Sequence, residues 1–279
     1  MSSEVGIESV PDPGRTMEGL RDTGYDFETA IADLVDNSIA ANAELVDIRI
    51  NQDFRGEVRV SISDNGEGMD HDGLVNAMRY GSPKRSDPAS LGKYGLGLKT
   101  ASTAYCRRLS VISRNEGSAP LHMATWDLDH VMQEKKWLLL MSDEPDEEAV
   151  EHLEEIAPEA AGTVVVWTKV DRLLGAYQDP GGKAAKKALG KKVAELQEHL
   201  AEIYQRFLDP KDKRARNVKI NLNGVDVKPW DPFQTGLSEL VASETIPTET
   251  ESGAEAEFTE KAFILPRREE FPDDDLAKA

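Results

Sequence analysis

Asp33 and Asn37 stand four residues apart in "DLVDNSIAANA", a stretch patterned as an amphipathic helix. Its middle carries Asp, Asn and Ser, which are mediocre helix formers. The spacing puts Asp33 and Asn37 on one helix face, beside the apolar stripe. A carboxylate can polarise water, and an amide oxygen can join the oxygen shell of Mg²⁺. Together they suggest a nucleotide site, although a solvated polar face has the same appearance. In "SISDNGEGMD" a strand ends at Asp64 and the chain turns through Gly66 and Gly68 before Met69. A carboxylate there can accept from an exocyclic amine such as that of adenine, and glycines let backbone approach a flat ring. A plain turn is the other reading. An EF-hand-type calcium loop is rejected, because it needs oxygen-bearing side chains where the two glycines stand. In "LGKYGLGLKTAS", Gly92, Gly95 and Gly97 lead into a helix starting near Leu98, an arrangement that offers backbone N–H groups to phosphate. The spacing fits neither a Walker A loop nor a Rossmann fingerprint. Gly162-Thr163 is uninformative by itself.

The elements that must position these groups follow from hydropathy patterning. Phe27, Ala30, Ile31, Leu34, Val35, Ser38 and Ile39 recur at three-and-four spacing and predict one helix. Alternation predicts strands over 45–50 and 58–63, joined as a hairpin through "QDFRGE". A helix over 72–79 and one beginning near Leu98 come next, then an antiparallel run of strands over 109–114, 121–128 and 136–141, and a buried strand over 162–170. Residues 81–97, rich in Gly, Ser and Pro, read as a lid or binding loop, and the acidic 142–155 reads as a solvated surface segment. A linker over 176–182 precedes a long helix over 183–207, a hairpin over 218–227 and a strand region over 254–266. The expected organisation is an N-terminal arm over 1–15, a nucleotide-binding domain over 16–175 and a further region over 176–279.

Order is more informative than any single piece. Asp33-x-x-x-Asn37, Asp64-x-Gly66-x-Gly68, Gly92-x-x-Gly95-x-Gly97 and Gly162-Thr163 together resemble the motif set of the GHKL ATPases, over about residues 16–170. That family includes gyrase, the ninety-kilodalton heat-shock chaperones, histidine kinases and MutL, and "LVDNS" is most similar to its MORC and MutL branch. The resemblance implies an α/β class fold, a two-layer α/β sandwich in which a mixed sheet carries helices on one face. A partial, transducer-like α+β region would follow, with its first strands in 217–233 and 261–270. ATP and Mg²⁺ are the implied cofactors. Asp33 corresponds to the general base, Asn37 to the Mg²⁺ ligand, and Asp64 to the adenine partner, aided through water by Thr163. Gly66, Gly68 and Met69 would shape the pocket. Residues 81–97 correspond to the ATP lid, with Gly92, Gly95, Gly97, Leu98 and Lys99 around the phosphates.

Two positions depart from the family pattern. MORC and MutL proteins usually carry Glu at the base position, and Asp33 is one methylene shorter. A displacement of about 1 Å at a reacting centre can cost on the order of a hundredfold in rate, so turnover is expected to be slow. The lysine that a transducer sends to the terminal phosphate has no evident match, Lys228, Lys261 and Lys278 being candidates only by their presence.

Composition bounds the role. A formal charge of −19 disfavours binding nucleic acid with the whole surface, so DNA would be met through a local basic patch such as "KAAKKALGKK" or "KDKRAR", or through a partner. The single cysteine, Cys106, excludes an intramolecular disulfide, and the five histidines show no paired metal-ligand spacing. No stretch approaches the roughly 20 apolar residues of a membrane span, and the N-terminus lacks the features of a secretory signal. A cytoplasmic protein without a membrane role is expected. The resemblance implies an ATP-dependent homodimer, a clamp with residues 15–25 as an exchanged arm. It would work with protein partners in a multi-component, DNA-related or antiviral defence system. An ATP-sensing interaction switch with little hydrolysis is one alternative. A histidine-kinase-type catalytic domain is another, but it calls for no carboxylate base on the first helix and for a phosphoacceptor helix upstream.

Overall fold

The predicted apolar stripe of the first long helix and the alternating strands fit together as helices packed on a sheet. The computed structural model describes residues 9–22, 24–81, 97–231, 233–250 and 253–271. In chain order the elements are α1 (Pro13–Leu20), α2 (Phe27–Ala40), β1 (Leu45–Gln52), β2 (Val58–Asp64), α3 (His71–Met78) and α4 (Gly97–Tyr105). They continue with β3 (Cys106–Arg114), β4 (His122–Asp127), α5 (Leu128–Glu134), β5 (Leu140–Ser142), α6 (Glu147–Ile156) and β6 (Gly162–Val170). After these come α7 (Lys183–Ile203), α8 (Gln205–Leu208), β7 (Lys219–Leu222), β8 (Val225–Asp226), β9 (Glu239–Glu249) and β10 (Glu255–Ile264).

Eight strands form a mixed sheet in the order β5-β4-β3-β6-β2-β1-β7-β8, in which only the β1–β7 pair is parallel. On one face, Val60, Ile62, Leu109, Val111 and Trp167 pack with Phe27, Ile31, Leu34 and Val35 of α2 and with Leu196 and Leu200 of α7. The α2 stripe is buried as its spacing predicts. The mixed sheet with helices is the α/β fold that the resemblance implies, except that one helix, α6, lies on the second face.

The acidic segment differs from its expected solvated state. Residues 147–156 form α6, which buries Ala149, His152 and Leu153. Ala149 and Leu153 cover Ile112, Val164 and Val166 on the sheet face opposite α2. The acidic side chains disguise a three-and-four apolar spacing too short to be decisive alone. His152 anchors this helix: its Nε2 lies 2.8 Å from Asp47 Oδ1 and its Nδ1 2.9 Å from Ser61 Oγ. The carboxylate can only accept, so Nε2 donates to Asp47.

Other departures have equally local causes. Helix α1 begins at Pro13, within the segment read as an arm, because Asp12 caps it by accepting from Arg15 N at 2.8 Å and Met17 is buried. Arg21, just beyond α1, is buried; its Nε donates to Thr103 O at 2.7 Å and its guanidinium pairs with Asp171. Strand β5 covers only Leu140 and Met141 of the residues expected in "KWLLLM", and runs on to Ser142. Helix α5 occupies the chain before it, and Trp137 joins an aromatic group with Tyr80 and Trp126, at centroid distances of 5.6 and 6.2 Å.

The chain divides into two compact units, Met1–Lys228 and Pro229–Ala279, so the division falls later than residue 175. Helix α7 packs on α2, and β7, expected in a following region, extends the main sheet beside β1. The second unit holds the antiparallel pair β9–β10 and a Phe233–Phe263 ring contact at 6.0 Å. No helix among the described residues is long and apolar enough to cross a membrane.

Replacing His152 by Ala leaves buried Asp47 with Arg49 as its remaining side-chain partner, takes the partner of Ser61 Oγ away and leaves a void under α6. We expect a loss of about 2–4 kcal/mol in urea unfolding free energy. An unchanged midpoint would show that α6 is not anchored by this residue.

Candidate functional site

The site is assembled around the middle of α2. Ser38, one residue beyond Asn37, donates its hydroxyl to Asp64 Oδ2 at 2.8 Å, and Gly66 N donates to Asp64 Oδ1 at 2.9 Å. Asp64 is the last residue of β2 and pairs in register with Thr163 of β6. Thr163 Oγ1 lies 2.8 Å from Ser113 Oγ, which also donates to Gly162 O and accepts from Met69 N, at 2.9 and 2.8 Å. The first helix, the strand-end carboxylate and the Gly-Thr strand start are thereby joined by direct hydrogen bonds or register pairing.

The glycines after Asp64 serve close packing. A Cβ on Gly66 would lie 2.6 Å from Ala41 O at the end of α2, and the neighbouring Glu67 N donates to that same oxygen at 2.8 Å. At Gly68, φ is +61° and a Cβ would come within 1.9 Å of Arg114 O. Both requirements favour glycine: the backbone sits in the left-handed region or presses on another backbone.

At Asp33, the Tyr25 hydroxyl donates to Oδ2 at 3.0 Å, and a Cβ on Gly97, the first residue of α4, would lie 3.3 Å from that oxygen. Asn37 donates its amide to Asp33 O at 2.7 Å, which orients the side chain and leaves its oxygen for another partner. Next to them, Asp36 accepts from the Tyr204 hydroxyl at 2.7 Å, and the same hydroxyl is 2.9 Å from Ala32 O. Lys99 is buried, with Nζ donating to Ala77 O at 2.7 Å, so its ammonium is engaged at the end of α3. Leu98 packs against the core. Gly92, Gly95 and most of the expected lid lie outside the described residues.

Burial sets the electrostatics. It pushes the Asp64 carboxyl up to about 6, against the opposing pull of the Ser38 and Gly66 donors. It raises the Asp36 carboxyl, which also feels the charge of Asp33. Burial alone lowers Lys99 to about 8. Among the described residues no group of three or more His, Cys, Asp or Glu is placed to hold a metal ion. The orientation of Asn37 fits a different arrangement, a single oxygen ligand to a hard dication whose other ligands are phosphates and water.

Ser38, Ser113, Tyr25, Asp36 and Tyr204 were not singled out by the motifs. Ser38 had a signal, as a polar residue in a stripe otherwise apolar. Tyr204 reaches Asp36 across 168 residues of chain, and no local pattern announces it.

Residues 25–163 match the family model described as histidine kinase-, DNA gyrase B-, and HSP90-like ATPase. The chain is similar to the ATPase MORC2B of Mus musculus, 31% identical over 93 residues, a match covering 32% of this chain and 9% of that protein. It is also similar to the DNA mismatch repair protein MutL of Methanocorpusculum labreanum, 32% identical over 95 residues, covering 32% of this chain and 16% of that protein. These matches span less than a fifth of either relative.

The raised Asp64 pKa carries a sign for stability. The protonated carboxyl favours the folded state below its unfolded value near 3.8, and that contribution is lost as pH rises through about 6. Asp64→Asn has no such titration. Between pH 4 and pH 7 the unfolding free energy of the variant should therefore gain on wild type by about 2–3 kcal/mol. Urea titrations of the nucleotide-free chains at the two pH values measure this difference, and parallel pH dependences would refute it.

Proposed function

We propose a function from the premise that this chain, through residues 25–163, belongs to the histidine kinase-, DNA gyrase B- and HSP90-like ATPase family, in its MORC and MutL branch. The chain binds ATP with Mg²⁺ and hydrolyses it slowly. The observation that carries this reading is the convergence of Asp33, Asn37, Gly97, Asp64 and Thr163 through α2.

The buried Asp64 carboxylate accepts the adenine amino group, and Thr163, already bonded to Ser113, supports a water beside it. Gly97 opens α4, whose N-terminal N–H groups face the phosphates. Asn37 Oδ1 contributes to holding Mg²⁺, which neutralises phosphate charge when bound. Asp33 accepts the proton of the attacking water as the water oxygen bonds to the terminal phosphorus and the bond to the departing ADP oxygen breaks.

ATP-dependent closure and homodimerisation, a DNA-related or defence role with protein partners, and a cytoplasmic location complete the proposal by family analogy. The charge of −19 favours a local DNA contact, and the exposed Lys183, Lys186 and Lys187 on α7 are the group best suited to it. A second reading, an ATP-sensing switch with little hydrolysis, is favoured by one observation: aspartate rather than glutamate occupies the base position.

The test is Mg²⁺-dependent phosphate release together with nucleotide binding for wild type, Asp33→Asn and Asn37→Ala. We expect Asp33→Asn to bind ATP while turnover falls by about 10²–10⁴-fold, and Asn37→Ala to lose the Mg²⁺ dependence of binding. Binding without turnover in all three favours the switch. No binding by wild type would end the nucleotide reading. ATP affinity should also weaken as pH falls below about 6, because protonation of Asp64 weakens the acceptor. A binding isotherm series from pH 5 to pH 8 reads this, and a flat profile would remove Asp64 from the adenine site.

A further inference from the structure

The two carboxylate oxygens of Asp33 have different surroundings. Oδ2 receives the Tyr25 hydroxyl at 3.0 Å and has Gly97 packed beside it. Among the described residues no hydrogen bond reaches Oδ1. Among the described residues, the carboxylate is therefore held by a hydrogen bond at Oδ2 alone.

Tyr25 is itself held firmly. Gly24, at φ +77°, turns the chain into it, and Tyr105, the last residue of α4, donates its hydroxyl to Tyr25 O at 2.7 Å. The Tyr105 ring packs edge-on to Phe27 at 5.4 Å and is stacked at 6.2 Å from Trp167, so that donor is braced by the core. The Thr100 side chain, also on α4, hydrogen-bonds the Tyr25 phenol. Burial first, and then the Asp33 hydrogen bond and charge, raise the phenol pKa, which keeps Tyr25 protonated and donating across the neutral range. Tyr25 as a whole is partly buried.

We propose that Tyr25 is a positioning residue for ATP hydrolysis: its hydroxyl clamps Asp33 Oδ2 and leaves Oδ1 as the oxygen that takes the proton of water. The proposal rests on the ATPase reading above. Proton balance is simple, since the water proton passes to Oδ1 and Tyr25 keeps its own. An aspartate has one methylene less with which to reach the reacting water, so the direction of its free oxygen matters more. A donor on the opposite oxygen removes the rotation about χ2 that would misdirect it.

The experiment compares wild type, Tyr25→Phe, Asp33→Asn and the double variant in steady-state hydrolysis, ATP binding and thermal unfolding. Tyr25→Phe should lower kcat by about ten- to a hundredfold with KM, ATP Kd and Tm unchanged. It should add no further loss in the Asp33→Asn background. Tyrosine ¹³C NMR gives a readout independent of turnover: the Tyr25 phenol should titrate at lower pH in Asp33→Asn than in wild type. Wild-type turnover with an unchanged Tyr25→Phe rate overturns the proposal alone. So does a loss in which KM, Kd and Tm move with kcat, or a phenol titration indifferent to Asp33. A wild-type chain that binds ATP without turning it over overturns both this proposal and the hydrolysis reading.

Discussion

A buried carboxylate at the end of β2 is the constraint on which the site depends. Asp64 is 5% exposed, and a charge so placed must be met by fixed donors. The structure supplies one from α2, the Ser38 hydroxyl, and one from the following loop, Gly66 N. Because Ser38 is adjacent to Asn37, the same bond that satisfies Asp64 sets the rotation of α2 on the sheet. That rotation directs Ile31, Leu34 and Val35 into the core and leaves Asp33 and Asn37 on a neighbouring, partly exposed face. The polar residues in mid-helix are thus compatible with packing: their face is the one the sheet does not cover.

The reverse face of the sheet acts as backing. There the Asp47–His152–Ser61 relay ties β1 and β2 to α6, beside a small apolar group centred on Leu153 and Val164. Asp47 is also paired with Arg49, which itself bonds Glu155 of α6. The relay has the residue types of a nucleophilic triad, but Ser61 is buried beneath α6, and a nucleophile needs an open side. It is read as a fully satisfied polar anchor, of the kind that fixes one helix position among several of similar apolar area. Both strands that end near Asp64 and Thr163 are covered on two faces, which stiffens the edge from which those residues project.

Around the N-terminus, charge does comparable work. Arg21 is buried against Thr103 O and Asp171, while Arg107 bridges Glu18 and Asp129 at 2.8 Å each. These bonds join α1 to the end of α4 and the start of α5. Helix α4 is attached through Arg21 at Thr103, Lys99 at Ala77, and Tyr105 and Thr100 at Tyr25, with Gly97 beside Asp33. Motion of α4 would be felt directly at the candidate base.

Local sequence determined those features whose causes are local. The α2 stripe, the β1–β2 hairpin and the Gly-rich turn after Asp64 follow from periodicity and backbone freedom, and the four motifs in order identified the family. Spacing along α2 also placed Asp33 and Asn37 on one face, since a helix converts sequence separation directly into geometry. Tertiary structure decided what lies across from them. Ser38 meets Asp64 over 26 residues and Tyr204 meets Asp36 over 168, and neither partner carries a mark of the other in its neighbourhood. The parallel placement of β7 beside β1, and of α6 on the reverse face, likewise depends on which apolar surfaces remain uncovered once the sheet has formed. Those surfaces arise only when distant segments are brought together, so no window of sequence contains the information by itself.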